Sequence, residues 1–200
     1  MSALFDDLSR LFDEGHRQDV PDLLTDRQFA RGKPRAAAVL IAVTERPVPG
    51  ALLIHRPHDM RSHPGQVAFP GGKLDPGEDA ITAALREAHE ELGIHPQDVR
   101  IIGATDPYQT GTGFDVTPVL GIIPPDLDIN PNPAEVADWF EAPLRFLLDP
   151  ESRRERQARW RGDTRHYYEM DWQGHRIWGV TAAIIANLSR RLAWQELLDG

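Results

Sequence analysis

Hydrophobic positions along this chain fall into two kinds of run, and each predicts a different element. Leu4, Phe5, Leu8, Leu11 and Phe12 recur at helical spacing, so residues 3–14 are expected as a short amphipathic helix. Its apolar side would pack on the same domain or on a second copy of the chain. Residues 15–34 are polar and read as loop. From Arg35 to Thr44 the sequence RAAAVLIAVT is apolar over strand length. Pro47, Pro49 and Gly50 mark a turn, and Ala51–His55 reads as a second strand, so the two runs are expected to pair as a hairpin. Helical spacing returns at Ala80, Ile81, Ala84, Leu85, Ala88 and Leu92, with Gly93 as its stop and Pro96 just beyond.

Further on, Val99–Thr105 and Asp115–Ile123 read as strands on either side of a loop, and Pro118 predicts an edge or a bulge in the second. Four prolines, at 124, 125, 131 and 133, break the chain before a short expected strand at Glu135–Glu141 and a short helix at Pro143–Leu148. Arg165–Asp171 and His175–Trp178 predict a hairpin about Gln173-Gly174. A closing helix follows, with Thr181 as N-cap and Ala183, Ile184, Leu188 and Leu192 on its buried side. Many strands and few helices in mixed order give an α+β class, a sheet sandwiched by helices. We expect one domain, with residues 1–34 as N-terminal helix and loop and 35–194 as the core.

Composition narrows the function classes. The 200 residues are 40% hydrophobic and 26% charged, with formal net charge -9. So acidic a chain lacks the basic face that sequence-independent nucleic-acid binding needs. A polyanionic substrate would require metal ions and a local basic patch. The absence of cysteine excludes disulfides and thiolate metal sites and suits a reducing cytoplasm. No run of 18 apolar residues predicts a membrane span, and the acids in MSALFDDLSRLFDEG do not suit a secretory signal. The expected partner is a small molecule, in a cytoplasmic protein whose apolar N-terminal helix also allows a homodimer.

The densest chemistry lies in Gly71–Ile94, GGKLDPGEDAITAALREAHEELGI, a glycine-rich turn that becomes the second helix. Glu87, Glu90 and Glu91 fall at i, i+3 and i+4, within an arc of roughly 100°. Carboxylates so close repel one another, and a hard divalent cation such as Mg2+ relieves that repulsion. The plain alternative is a solvated acidic face. Arg86 points off the arc, where an acid such as Glu78 could pair with it. The spacing as a whole decides between these. Gly72, Glu78, Arg86, Glu87, Glu90, Glu91, Gly93 and Ile94 follow G-x5-E-x7-R-E-U-x-E-E-x-G-U, with U apolar, and the stretch resembles the box of the Nudix hydrolases. Ala88 is smaller than is common at the first U.

That resemblance implies an α/β/α Nudix sandwich with a mixed sheet. It implies a diphosphatase in which Glu87, Glu90 and Glu91 hold Mg2+ or Mn2+ and Glu78 fixes the loop and pairs with Arg86. Either Glu90 or Glu135 would take the proton from the attacking water. Glu135 lies outside the box, in an Asn-Pro-x-Glu-Val stretch that matches it no better to a metal-site acid than to a strand-start glutamate.

Upstream, Leu52, Leu53, Arg56, Arg61, Gly65 and Phe69-Pro70-Gly71-Gly72 resemble the signature L-L-T-x-R-[SA]-x3-R-x3-G-x3-F-P-G-G of the coenzyme A diphosphatase branch. Ile54 and Pro57 depart from it. Arg56 and Arg61 offer planar forks to phosphate oxygens, His63 a weaker donor, and Gly71 and Gly72 a close backbone approach. His55, His58 and His63 read as a zinc site only weakly, since their spacing is irregular and no fourth ligand stands near. The segment I-W-G-x-T-A at 177–182 also resembles this branch, with Trp178 expected to serve packing. A basic block, Arg153, Arg154, Arg156, Arg159 and Arg161, could meet the substrate's phosphate, but it is remote from the box in sequence and is expected to pair with surface acids instead. The rival readings are a diphosphatase for ADP-ribose, NADH or a modified nucleotide, and a non-catalytic regulatory Nudix module.

Overall fold

A computed structural model describes residues 2–58, 65–160 and 162–192. Helix α1 spans Ala3–His16, followed by strands β1 (Arg35–Thr44), β2 (Gly50–His55), β3 (Val67–Ala68) and β4 (Gly71–Lys73). Helix α2 is Ala80–Leu92. Strands β5 (Arg100–Ala104), β6 (Tyr108–Gln109), β7 (Phe114–Ile123) and β8 (Asp138–Pro143) come next, then α3 at Leu144–Leu148. The chain ends its described part with β9 (Arg154–Trp160), β10 (Asp163–Trp172), β11 (His175–Trp178) and α4 (Val180–Arg191).

The unbroken apolar run of β1 is explained by where it sits. It pairs parallel with β7 along its whole length and antiparallel with β2 and β4, so neighbours flank it on both sides. Both of its faces are buried as well, as long apolar strands require. Ala38, Leu40 and Ala42 pack with Leu52, Ile54, Val119 and the Ala83, Ala84, Ala88 and Leu92 stripe of α2. Ala37, Ile41 and Val43 face the other way, toward Leu8 and Leu11 of α1 and Ile184 and Leu188 of α4. The result is a mixed sheet between helical layers, an α+β fold with the expected α/β/α sandwich. Of the two partners expected for α1, the structure gives its own domain.

Three local expectations are corrected. Of the edge or bulge expected at Pro118, the structure excludes the edge, since β7 lies between β1 and β5. It places the irregularity in the facing strand, where the register shifts between Ile101 and Gly103. The Pro118 carbonyl accepts from Thr105 N at 2.9 Å, beyond the end of β5, and β6 begins pairing only at Val116. A strand residue's N and O point the same way, so the missing N–H faces Thr105, where the β5–β7 ladder ends and only one bond of that pair forms. Thr181 is not the N-cap of α4. Gly179 holds that position at φ 64, where a side chain would be strained, and Thr181 Oγ1 donates to Val67 O at 2.9 Å. The strand after the prolines begins at Asp138, not Glu135.

The basic block forms β9, an edge of a separate three-stranded sheet in the order β11-β10-β9. Arg156 meets a surface acid as expected, Glu169, at 3.3 Å. Arg153 instead turns inward onto Leu148 O and Ser189 Oγ. Arg161 lies outside the described residues.

His55 Nε2 lies 2.8 Å from His175 Nδ1, tying β2 to β11. Burial first, then the His175 charge, lowers the His55 pKa below 6.5, against a smaller opposing effect of Asp138. On acidification the unfolded chain therefore takes up this proton before the folded chain does, and stability is lost as pH falls below 6.5. The melting temperature is expected to drop between pH 7 and pH 5. His55→Phe, which removes the titrating ring and keeps an aromatic group beside Phe140, should flatten that slope in a calorimetric pH series; an unchanged slope would place the acid sensitivity elsewhere.

Candidate metal and diphosphate site

Helix α2 is delimited by its own sequence. Asp79 caps it, accepting from Thr82 N at 2.8 Å, and Gly93 ends it in the left-handed region at φ 71. Its alanine stripe packs against the sheet, and Glu91 is buried on that same face beside Ala84 and Ala88, with Glu87 at its margin and Arg86 and Glu90 farther round toward the outside.

Arg86 is the hub. Its Nε and Nη2 donate to Glu78 Oε1 and Oε2 at 3.0 and 3.1 Å. Nη2 also donates to Lys73 O at 3.0 Å, and Nη1 to Glu87 Oε1 and Glu90 Oε2 at 2.9 and 3.0 Å. Arg86 thus pairs with Glu78 and also bridges the acidic arc it was expected to avoid. Glu78 takes a further bond from Asp75 N at 2.9 Å, which closes the loop onto the helix. The Arg86 hydrogen bonds, then that N–H, hold the Glu78 carboxyl below its ordinary pKa.

Glu87, Glu91 and Glu135 bring one carboxylate oxygen each to within 4.8 Å of one another. Glu91 is 4% exposed, and Gly71 N donates to its Oε2 at 2.8 Å. Burial pushes its pKa up to about 8 against the pull of that N–H, with the Glu87 charge adding to the rise. Burial likewise raises Glu87, with Arg86 opposing. Three partly desolvated carboxylates facing one another are unfavourable by themselves, and hard oxygen donors in this number suit Mg2+ or Mn2+. The residues present therefore fit a divalent cation. Glu90 stands outside this trio, on Arg86 and 47% exposed along its side chain. Glu135 enters from a turn that sequence periodicity could not orient. Asn132 O accepts from Glu135 N at 3.0 Å and Val136 N at 2.8 Å, and Asn132 N donates to Glu91 O at 2.9 Å.

Gly72 pairs with Ala38 in the sheet, and a β-carbon there would land on the Glu87 carboxylate. Nothing in its backbone conformation forbids alanine. Gly72→Ala is therefore expected to keep the fold and to displace Glu87, lowering turnover by about 10–100-fold, the usual effect of disturbing a ligand's support. Unchanged turnover would show that Glu87 need not stand there.

Beside the carboxylates lies a cleft of about 330 Å³, bordered by Arg56, Phe69, Gly71, Gly72 and Lys73. Arg56 Nε is buried and has no hydrogen-bond partner among the described residues. The Arg56 charge also reaches Glu91 and works to lower its pKa. Arg61 and His63 lie outside the described residues. Among the described residues no zinc cluster forms around His55 or His58.

Comparison with known proteins gives a consistent picture. The NUDIX domain family model matches residues 32–162. A protein of Enterobacter sp. (strain 638) named "Uncharacterized Nudix hydrolase NudL" is 43% identical over 187 residues, covering 90% of this chain and 97% of its own. A protein of the same name from Escherichia coli (strain K12) is 44% identical over 159 residues, covering 79% and 83%. Among solved structures, a MutT/nudix family protein from Enterococcus faecalis aligns with TM-score 0.50 at 14% identity, over 100% of this chain and 75% of that one, a likeness of fold alone.

Proposed function

Since the chain belongs to the Nudix hydrolase family, whose members hydrolyse diphosphate bonds with divalent metals, we propose that its substrate is coenzyme A or an acyl derivative. The products are adenosine 3′,5′-bisphosphate and 4′-phosphopantetheine, or its acyl form. One observation carries this reading: Arg56, whose buried Nε has no hydrogen-bond partner among the described residues, borders the same cleft as Gly71 and Gly72, beside the carboxylate trio. The upstream signature shared with the coenzyme A branch supplies this arginine and both glycines.

Glu87, Glu91 and Glu135 are the residues that would hold Mg2+ or Mn2+. When bound, the cation supplies charge neutralisation for diphosphate oxygens and makes water more acidic. Arg56 offers a planar donor fork to the diphosphate and orients it across the cleft. Gly71 holds Glu91 through its N–H, and Gly72 leaves the space that the Glu87 carboxylate fills. Glu78 and Arg86 keep Glu87 aimed. Water attacks one phosphorus, the bridging P–O bond breaks, and the other phosphate leaves with that oxygen. The water's proton goes to Glu90, the box acid that stands outside the trio and is half exposed.

Hydrolysis of coenzyme A in 18O-labelled water with Mg2+, with products resolved by mass, tests the reading. Label in one of the two named products supports it. Intact coenzyme A alongside turnover of ADP-ribose would replace it with another Nudix diphosphatase.

A further inference from the structure

The cleft beside the carboxylates continues into a second chamber. Gln66, Thr110, Thr112 and Val180 border both. The second chamber, of about 230 Å³, runs along the three-stranded sheet, where Ala158, Tyr167 and Trp178 form its wall. Strand register explains why these three share a face. Ala158 lies opposite Arg165, Tyr167 is two residues on, and Trp178 lies opposite Glu169, two further on. The Tyr167 and Trp178 rings meet edge-on, with centroids 5.8 Å apart. The Arg176 guanidinium stands 4.9 Å from the centre of the Trp178 ring, so one face of the indole already has its partner. Arg165 is committed to Asp26. Arg159 also borders the chamber, although strand alternation turns it to the face opposite Ala158.

A wall of two aromatic rings is chemistry for a flat, π-bearing group. A base gains from stacking on such a ring whatever its identity, whereas a pantetheine chain has no π face and gains little. We infer that this chamber takes the nucleotide end of the substrate, a purine stacked on Trp178, while the diphosphate lies across the neighbouring cleft near Arg56. The inference rests on the reading above, that the substrate is a diphosphate with a nucleotide at one end. Trp178 is then a specificity-determining residue rather than a packing one.

The test is calorimetric titration with each half of the substrate, adenosine 3′,5′-bisphosphate and 4′-phosphopantetheine. Trp178→Ala is expected to weaken the bisphosphate by about tenfold or more and to leave phosphopantetheine unchanged. Trp178→Phe, which restores a ring, should recover most of the loss. Retained phosphopantetheine binding also shows that the variant is folded. Unchanged bisphosphate affinity in Trp178→Ala overturns the inference, as does equal weakening of both halves or selective loss of phosphopantetheine. The two readings fail separately. A parent protein that binds the bisphosphate through Trp178 yet leaves coenzyme A intact loses only the proposed reaction. One that cleaves coenzyme A with no dependence on Trp178 loses only the chamber.

Discussion

Glu91→Gln is expected to abolish hydrolysis and, at the same time, to make the protein harder to melt at alkaline pH. The loss of activity should exceed the ~100-fold that follows removal of a merely supporting residue, because Glu91 is one of the three carboxylates that meet. The gain in stability follows from burial. The ordinary pKa of 4.5 is raised to about 8 in the folded chain. Between those values the folded chain keeps a proton that the unfolded chain has released, so stability falls as pH rises across that window. Above pH 8 the buried charge is fully present. Glutamine carries no such proton, and its carbonyl oxygen can still accept from Gly71 N. With a chelator present, the melting temperatures of parent and variant should therefore coincide near pH 4.5 and separate by about 5–10 °C by pH 9. Mg2+ should narrow the gap by stabilising the parent alone, through binding to the folded state. A difference that does not vary with pH would mean that Glu91 is not the strained group.

The same residue shows what was legible in the sequence. Helical spacing states which residues share a side of one helix, and it placed Glu87, Glu90 and Glu91 on one arc, with Arg86 off it, because that is a local property. It could not state which of those acids another segment would join. Glu135 completes the trio because Asn132 links its turn to the end of α2, a contact between loops that no periodicity records. Glu90 drops out of the trio for a similar reason: Arg86 reaches it first. The expected strand at Glu135 failed because Pro133 and the Asn132 turn hold the chain three residues longer. Strand β9 left no hydrophobic signal, since Arg154–Trp160 is a charged edge held by its ladder to β10. By contrast β1, apolar without alternation, was readable because both its faces are covered.

Arg86→Lys is the second large effect. The substitution keeps the charge and removes the geometry. The guanidinium reaches two oxygens of Glu78, one each of Glu87 and Glu90, and Lys73 O through three nitrogens spread in a plane. A lysine ammonium has three donors on one atom and cannot span those positions at once. If it stays with Glu78, which is anchored from the other side by Asp75 N, Glu87 loses its only charged support among the described residues. Glu87 is already the more strained partner, since burial raises its pKa while Glu78 is held low. The expected cost is about 10–100-fold in Mn2+ affinity, measured by titration at constant pH, with turnover falling in step. The melting transition should stay cooperative, because the buried stripe of α2, Ala83, Ala84, Ala88 and Leu92, does not involve Arg86. Glu78→Gln separates the two halves of the clamp. It weakens the anchor of Arg86 but leaves the Arg86–Glu87 bond possible, so its loss of Mn2+ affinity should be the smaller. If Glu78→Gln costs more than Arg86→Lys, the loop and not Glu87 is what Arg86 is there to hold.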